Sequence, residues 1–336
     1  MLRKSVLVFS VISFILSFLF MSCNEQKLIA DKDLVLLMAE SNPPDSIAGR
    51  VDTAFKNKIE ELSFGHIKVD LKYSGVLGDE KQVMELIMKP NSLIHLARVT
   101  ASLSSFGGEK SKLITIPYTF KNEEHFWKFA KSDLAKEILN EAYEKNLGVK
   151  GLFYGEEGFR HFFSVSPIHS VKDIENKKVR ISKSEDMMKL VRCFKAVPVQ
   201  VSFSDLYSVL QREIVDVAEQ PVSNYLSNHF YEPAKYMILD GHMIGAFQIL
   251  INSKIWDSLS DSQKKIIMAA SDYASEYCRF IASESEKDVL SQLSDAGVKF
   301  TVVKDKTPWQ DACKDLIEES SSQYPELYKK ILDLGK

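Results

Sequence analysis

The stretch KKVRISKSEDMMKLVRCFKAVPVQVS, residues 177–202, predicts the fold class of this chain. The triplet Val179-Arg180-Ile181 is typical of a short buried strand. The apolar spacing that follows it, up to about Phe194, indicates a helix. The segment VPVQVS at its end is typical of a second strand. A strand, a helix and a strand in succession indicate a βαβ unit within a parallel sheet.

An arginine, Arg180, lies in the middle of the first apolar triplet. Arginine is rarely fully buried unless it is paired. A carboxylate of the protein, such as that of Asp173 or Glu185, is one candidate partner. An anionic group that is not part of the chain is the other, and these residues alone leave both open.

The same alternation of strand-like and helix-like segments runs through most of the chain. Strands are predicted at residues 33–39, 67–73, 92–99, 113–120, 149–155, 159–165, 177–182, 197–202, 215–221 and 245–252. Helices are predicted at residues 47–62, 82–88, 123–146 and 203–212, and over the segment that ends near residue 194. Strands that alternate with helices favour an α/β protein with a mainly parallel sheet.

One very long helix is predicted near the C-terminus. The sequence Ser260-Asp-Ser-Gln263 has the pattern of a capping box, and Gly297 is a typical C-terminal helix signal. About 36 residues of helix span about 54 Å. Because that length exceeds the width of one small domain, we expect this helix to cross two domains.

The first 22 residues have the layout of a secretory signal. A basic opening with Arg3 and Lys4 precedes an apolar run that is shorter than a membrane-spanning helix. Cys23 stands at the boundary to the polar sequence NEQK and resembles the lipid-modified cysteine of a bacterial lipobox. We expect a lipoprotein signal peptide over residues 1–22 with lipid attachment at Cys23; the alternative is a retained anchor helix.

Composition and charge exclude several classes of protein. The 336 residues are 45% hydrophobic and 26% charged, which is typical of a soluble globular protein with about two domains. The formal net charge is −3, and loss of residues 1–22, with two basic and no acidic residues, makes it −5. The sequence shows no basic face that would indicate a nucleic-acid partner.

The sequence lacks the short motifs that mark common enzymes. It contains no Gly-x-Ser-x-Gly elbow, no His-Glu-x-x-His pair and no Walker loop, and its seven histidines lack metal-ligand spacing. Cys193, Cys278 and Cys313 are too sparse to indicate a disulfide framework. We therefore expect a protein that is not an enzyme and has no cofactor.

Five segments, taken in order, resemble one family of binding proteins. They are AFKNKIEELSFGHIKVDLKYSGVLGDEKQVMELI (54–87), ITIPYTFKNEEH (114–125), GFRHFF (158–163), SVKDIENKKVRIS (170–182) and VPVQVSFSDLYSVLQREIVDVAEQP (197–221). Together they resemble the DctP-type solute-binding proteins of TRAP transporters, over about residues 33–300. The resemblance implies a receptor that captures organic acids outside the inner membrane for sodium-coupled import.

The resemblance also implies a two-lobed α/β fold like that of periplasmic binding proteins, with a ligand cleft between the lobes and the long helix crossing both. We expect lobe I to comprise residues 33–155 and about 246–280, and lobe II residues 156–245 and about 281–336. The implied partners are the TRAP integral membrane subunits, with an accessory periplasmic protein as a further candidate. The implied location is the periplasm, with the lipid anchor at Cys23.

In that family the arginine of an Arg-Val-Pro strand pairs with the ligand carboxylate, and Arg180 occupies the matching position. A guanidinium fork matches a carboxylate in bidentate geometry. The further ligand-binding candidates are Arg160 as a second cation, Phe203 as an apolar wall, Gln220 as an amide, and Asn42 and His242 as weaker contacts. For each of these the alternative is structural: an ion pair, a core position, a turn or a loop.

The segment that carries polar ligand contacts in the family reads Val217-Ala218-Glu219-Gln220 here. With Phe203 and the flexible Met187 nearby, this favours a monocarboxylate with an apolar body over a sugar acid. The rival interpretation is an exported lipoprotein scaffold that keeps the receptor fold without transport, and a hydrolase on an α/β fold is a third. An occluded cleft with Arg180 paired internally would favour the scaffold.

Overall fold

The computed structural model describes residues 33–100, 106 and 108–336. The predicted signal peptide, residues 1–22, and Cys23 lie outside the described residues. The described strands are β1 (Leu34–Ala39), β2 (Ile67–Lys72), β3 (Leu96–Thr100), β4 (Val149–Ser164), β5 (Lys178–Ile181), β6 (Val197–Gln200), β7 (Val217–Pro221), β8 (Tyr236–Asn252) and β9 (Lys299–Val302).

Helices fill most of the remaining described chain. The α-helices are α1 (Ile47–Leu62), α2 (Glu80–Ile87), α3 (Glu123–Ala130), α4 (Asp133–Glu144), α5 (Glu185–Cys193), α6 (Leu206–Gln211), α7 (Val222–Ser227), α8 (Ser253–Ser258), α9 (Asp261–Asp295), α10 (Thr307–Ala312), α11 (Lys314–Ser321) and α12 (Pro325–Asp333). Two 3₁₀ helices are Glu109–Ile114 and Val171–Ile174. Among the described helices, none has both the length and the apolar character that crossing a membrane requires.

Side-chain caps begin the two longest helices, α1 and α9. Ser46 Oγ accepts a hydrogen bond from Gly49 N at 2.9 Å at the start of α1. At α9 the predicted capping box is confirmed: Ser260 Oγ accepts from Gln263 N at 3.2 Å, and Gln263 Oε1 accepts from Ser260 N at 3.0 Å. Gly297 follows α9 with a φ of 89°, a conformation that favours glycine.

One mixed sheet contains all of the described strands. Its order is β2-β1-β3-β8-β4-β7-β5-β6, with β9 paired to β8. The pairs β1–β2, β1–β3, β5–β6, β5–β7 and β8–β9 are parallel, whereas β3–β8, β4–β7 and β4–β8 are antiparallel. The prediction of a mainly parallel sheet is wrong at the centre, because β8 returns against both β3 and β4.

The two longest strands, β4 and β8, join the two halves of the sheet. The strands predicted at 149–155 and 159–165 are one strand of 16 residues, and β8 has 17. The β4–β8 register shifts between Glu156 and Phe159, where Gly158 has a φ of 91°. This is one of three register shifts in this ladder, with others at Gly151/Phe153 and Arg160/Phe162, and such irregularities let a strand pair bend.

Two other segments differ from their prediction. The apolar run at 113–120 forms the end of a 3₁₀ helix and a turn instead of a strand, because Pro117 has no N–H to donate to a sheet. The helix predicted over 123–146 is divided into α3 and α4. Ser132 separates them, since its side chain accepts from Ala135 N at 3.3 Å and so caps a new helix.

Buried apolar side chains form separate clusters on the two sides of the β4–β8 irregularity. The clusters of lobe I draw on β1–β3, α1, α3, α4 and the first part of β4, and include the fully buried Phe55 and Phe126. The clusters of lobe II draw on β5, β7, α5 and α6, and include the fully buried Val179 and Leu206. The predicted two-lobed α/β fold is therefore confirmed.

The long helix α9 crosses from one lobe to the other. Side chains from Ile266 to Ala282 pack in a lobe I cluster, and Val289 and Leu293 pack in a lobe II cluster. A helix of 35 residues has the reach for this crossing. The prediction that one helix near the C-terminus spans both lobes is confirmed.

The last helix, α12, departs from the predicted division of the chain. That division assigns residues 281–336 to lobe II, but Tyr328 and Ile331 pack in a lobe I cluster. Tyr328 OH lies 3.1 Å from Thr119 Oγ1, and Ile331 O lies 2.8 Å from His125 Nε2. We propose the predicted lobe boundaries with this one change, that α12 belongs to lobe I.

Strands β4 and β8 approach each other closely at Gly155. A substitution at this glycine therefore tests the packing at the centre of the sheet. A Cβ on Gly155 would lie 2.2 Å from Cζ of the fully buried Phe247. We expect Gly155→Ala to lower the free energy of unfolding by about 3 kcal/mol, because a close-packed core cannot absorb this overlap. Denaturant titration would measure the loss.

The control for that substitution is Gly65→Ala. A Cβ there meets open space, so only the φ of 82° opposes alanine. We expect the control to lose about 1 kcal/mol. Equal losses in the two variants would show that the contact with Phe247 is not what requires glycine.

Candidate functional site

A cavity of about 480 Å³ lies between the two lobes. Its walls come from the segments after β1 and β2 and from α2 in lobe I, from β5, β7 and the segment after β6 in lobe II, and from the middle of β8. Three arginines line it: Arg98, Arg160 and Arg180. A cavity of this size suits a small-molecule ligand, and its charged lining points to an anion.

Arg180, on β5, is 3% exposed. Its Nε donates to the backbone oxygen of Val201 at 3.0 Å, and its guanidinium carbon lies 5.9 Å from the ring centroid of Phe203. Within the described residues, no carboxylate forms an ion pair with this guanidinium. Burial lowers the pKa of Arg180 to about 10, against the opposing charge of Glu219. A buried cation without a counter-charge is costly, so this position favours an incoming anion.

The two acids that the sequence offered as internal partners do not pair with Arg180. Asp173 accepts instead from the backbone N–H groups of His169 and Ser170, each at 2.9 Å. Glu185 begins α5 and makes no ion pair with Arg180 in the described part of the chain. The internal ion pair is therefore not what accommodates Arg180.

Arg160, on β4, is held by Glu219 on the neighbouring strand β7. Its Nε donates to Glu219 Oε2, and its Nη2 donates to Oε1 at 2.8 Å and to the backbone oxygen at 3.3 Å. Burial would raise the pKa of Glu219, but the charge of Arg160 leads the effects that lower it to about 2. The fork of Arg160 is thus occupied by an ionised carboxylate, which is the structural alternative that the sequence left open.

His242 lies behind Glu219 and is not among the described residues that line the cavity. It is fully buried, with Nδ1 2.7 Å from Asp240 Oδ2 and Nε2 3.6 Å from Glu219 Oε2. Burial would lower the pKa of His242, but the charge of Asp240 leads the effects that raise it to about 9. The imidazolium is thus placed to support Glu219, and a direct contact of His242 with a ligand stays a prediction.

Arg98, on β3, is a cavity residue that was absent from the sequence-based candidates. Its Nη2 lies 2.9 Å from Glu157 Oε2, and its Nε lies 3.4 Å from Glu40 Oε2. Burial would lower the pKa of Arg98, but these two carboxylates raise it. A signal was present, since Arg98 stands within the apolar run HLARV much as Arg180 stands within KVRI.

Two buried amide oxygens at the cavity wall are without a hydrogen-bond partner among the described atoms, Asn42 Oδ1 and Asn224 Oδ1. Asn42 was a sequence-based candidate, and its Nδ2 donates to Glu40 Oε1 at 2.8 Å. Asn224, in α7, was not a candidate. Buried polar atoms are normally hydrogen-bonded, so both oxygens can accept from groups in the cavity.

Gln220 and Phe203, both sequence-based candidates, also line the cavity. Gln220 is 4% exposed in β7, and the ring of Phe203 meets that of Phe230 edge to face with centroids 5.7 Å apart. Met187 of α5 and Met243 of β8 line the same cavity. Lobe II thus presents apolar surface beside the guanidinium of Arg180.

Besides the buried pair of Arg98 with Glu157, two lysine–carboxylate pairs connect the lobes among the described residues that line the cavity. Lys183 Nζ lies 3.3 Å from Asp79 Oδ2, and Lys112 Nζ lies 3.6 Å from Asp186 Oδ1. In each pair one residue belongs to lobe I and the other to lobe II. The lobes are therefore in contact through residues that line the space they enclose.

The described residues contain no group of three or more His, Cys, Asp or Glu side chains that could hold a metal ion. Among the described residues at the cavity, Arg98, Arg160, Lys112 and Lys183 each form an ion pair with a carboxylate, whereas Arg180 does not. This arrangement can bind an anion between two lobes.

Comparison with known proteins agrees with this geometry. Residues 38–323 match the family model described as bacterial extracellular solute-binding protein, family 7. The C4-dicarboxylate-binding periplasmic protein DctP of Shewanella loihica is 27% identical, over 83% of this chain and 81% of its own length. The sialic acid-binding periplasmic protein SiaP of Vibrio cholerae is 25% identical, over 79% of this chain and 81% of its own length.

Solved structures share the fold. A TRAP periplasmic solute binding protein from Pseudomonas putida with bound D-glucuronate has a TM-score of 0.84 at 23% identity, over 88% of this chain and 96% of its own. One from Sulfurospirillum deleyianum with bound succinate has a TM-score of 0.81 at 24% identity, over 89% and 98%. With a family model that spans both lobes, the chain belongs to the DctP family of bacterial extracellular solute-binding proteins and is a TRAP-type periplasmic solute receptor, not an enzyme.

Proposed function

We propose that this receptor binds an organic monocarboxylate whose carboxylate pairs with Arg180. As a TRAP-type receptor it takes small organic acids and delivers them to membrane subunits. The observation that carries the finer proposal is the charge balance of the three cavity arginines. Arg98 forms ion pairs with Glu40 and Glu157, and Arg160 forms one with Glu219, whereas Arg180 forms none among the described residues.

This pairing leaves Arg180 as the cavity arginine whose charge the ligand can neutralise by direct contact. A single carboxylate matches it, because a second carboxylate would need a second cation without a counter-charge. A guanidinium also offers parallel N–H donors, which suit both oxygens of one carboxylate. Arg160 then acts as a wall group fixed by Glu219, and His242 as a positioning residue for that acid.

Beyond Arg180, the lining supports a ligand with an apolar body. Phe203 and Phe230 form one aromatic surface, and Met187 and Met243 add flexible side chains that adapt to irregular shapes. A branched keto acid, an aromatic acid or a fatty acid would place its carboxylate at Arg180 and its body on this surface.

A second class of ligand is favoured by a different observation. The oxygens of Asn42 and Asn224 are buried acceptors without a donor among the described atoms, and hydroxyl groups of a sugar acid would supply donors. Solved proteins of this fold carry D-glucuronate and succinate. Both kinds of acid would place a carboxylate at Arg180. They differ in which of their groups would contact the amide oxygens of Asn42 and Asn224.

The rival scaffold function has less support. It requires an occluded cleft in which Arg180 is neutralised by an internal ion pair, whereas the cavity measures about 480 Å³ and Arg180 forms no ion pair within the described residues. We also propose that Cys23 carries the lipid anchor, because it follows an apolar signal and precedes the mature polar sequence.

Replacing Arg180 tests the carboxylate clamp. We expect Arg180→Ala to weaken binding of the cognate acid by about 2–4 kcal/mol, because the ligand charge would then be buried unpaired. Arg180→Lys should recover little of this loss, since an ammonium lacks the planar fork. Calorimetric titration, after native mass spectrometry identifies the co-purified acid, measures both.

The control for the clamp is Arg192→Ala, at an exposed arginine of the neighbouring helix α5. It should bind like the parent protein, and all three variants should unfold at similar denaturant concentrations. Unchanged affinity in Arg180→Ala would remove the clamp from the proposal while leaving the receptor function standing.

A panel of acids tests the body of the ligand. We expect apolar monocarboxylates to bind with a negative heat-capacity change, because binding removes apolar surface from water. Titration at three temperatures gives that change directly. Tight binding of a sugar acid or a small dicarboxylate, with no response to apolar acids, would favour the hydroxylated ligand.

Cell fractionation tests the anchor. We expect Cys23→Ala to move the protein from the membrane to the soluble fraction, because stable attachment needs more than one acyl chain and this cysteine would carry them. Cys278→Ala is the matched control and should stay with the membrane. A Cys23→Ala protein that remains membrane-bound and uncleaved would instead indicate a retained anchor helix.

A further inference from the structure

Helices α5 and α11 lie side by side in lobe II and run in opposite directions. In the middle of α5, Lys189 Nζ lies 2.5 Å from Glu319 Oε1 near the end of α11. Just beyond α5, the ring of Phe194 meets that of Trp309, in α10, edge to face, with centroids 5.5 Å apart. These two contacts hold α5 against the segment formed by α10 and α11.

Cys193 and Cys313 lie between these two contacts. Cys313 is fully buried and Cys193 is half-buried, and both pack in the cluster that contains Leu190 and Leu316. Interaction between the neighbouring thiols lowers the pKa of Cys193 and, together with burial, raises the pKa of Cys313. Helix packing thus brings together two cysteines that are far apart in the sequence.

We propose that Cys193 and Cys313 form a disulfide when the protein meets an oxidant that carries a reactive disulfide, such as a thiol oxidoreductase or oxidised glutathione. The family is periplasmic, and disulfides persist in such oxidising compartments. The proposed disulfide depends neither on the charges of the cleft nor on the ligand.

The reaction is two successive thiol–disulfide exchanges. The Cys193 thiolate attacks the oxidant and forms a mixed disulfide, and the released thiolate takes up a proton. Cys313 then loses its proton, its sulfur attacks Cys193 in the mixed disulfide, and the second oxidant sulfur leaves as a thiol. The two cysteines lose two electrons and two protons, which the oxidant gains.

The partial exposure of Cys193 makes it the residue that an oxidant can reach first. Cys278, the third described cysteine, is buried in lobe I, where its Sγ donates to the backbone oxygen of Glu156 at 3.3 Å. It is therefore remote from the pair and should remain a thiol.

The bond would fasten the C-terminal segment of the chain. That segment leaves lobe II at α11 and ends in α12, whose Tyr328 and Ile331 pack in lobe I. A disulfide at Cys313 fixes its lobe II end covalently, while its lobe I end is held by packing and by hydrogen bonds.

Peptide mapping of the full-length exported protein tests the proposal. The protein is purified without reductant, incubated with oxidised glutathione, alkylated in denaturant and digested with trypsin without reduction. We expect the peptide Cys193–Lys195 to be joined to Thr307–Lys314, and the pair to separate after reduction. Oxidation should raise the Tm by about 5 °C.

Two variants control this experiment. Cys278→Ser should keep both the joined peptides and the shift in Tm, whereas Cys193→Ser, at the half-exposed position, should lose both. Recovery of Cys193 and Cys313 as alkylated thiols after oxidation, or in separate disulfides with glutathione, would overturn the proposal, as would a bond from either one to Cys278.

Discussion

The pairing of β4 with β8 is the interaction on which the rest of the structure depends. It runs from Val149 opposite Asn252 to Ser164 opposite Tyr236, so one ladder passes through both lobes. Lobe I adds its remaining strands to β8 through β3, whereas lobe II adds β7 to β4 and β9 to β8. Because Arg160 lies on β4 itself, the ladder also determines which charged groups meet at the floor of the cleft.

Charge pairing decides what the cleft can hold. Taking an arginine out of water is costly, and the chain offsets that cost at Arg98 and Arg160 with its own carboxylates. At Arg180 it does not, so the enclosed state is more favourable with an anion present than without one. The lysine–carboxylate pairs between the lobes are partly exposed, with Lys183 49% and Asp79 21% exposed, and such pairs contribute about 0–1 kcal/mol each. We propose that the charge of the ligand contributes more to closure than these pairs do.

Local signals in the sequence predicted the bounds of some elements to the residue number. They did not predict contacts between residues far apart along the chain. Helix α1 was predicted with its observed bounds, because its capping serine and apolar spacing are local. The antiparallel centre of the sheet was not predicted, since the pairing of β8 joins residues far apart along the chain. Arg180 stood out because its neighbours are apolar, and the same reasoning would have found Arg98. That Arg160 faces Glu219 could not be predicted, because several acids were equally plausible partners and only strand register selects one.

The return of β8 through the sheet also has a consequence for when this chain can fold. Leu96 of β3 pairs with Ile251, and Val149 of β4 pairs with Asn252, so the sheet of lobe I lacks a strand until residue 252 has been made. Helix α9, which covers that lobe, comes later still. Non-local pairing of this kind slows folding. A chain that crosses a membrane unfolded would gain from this delay, because its first lobe cannot fold before translocation.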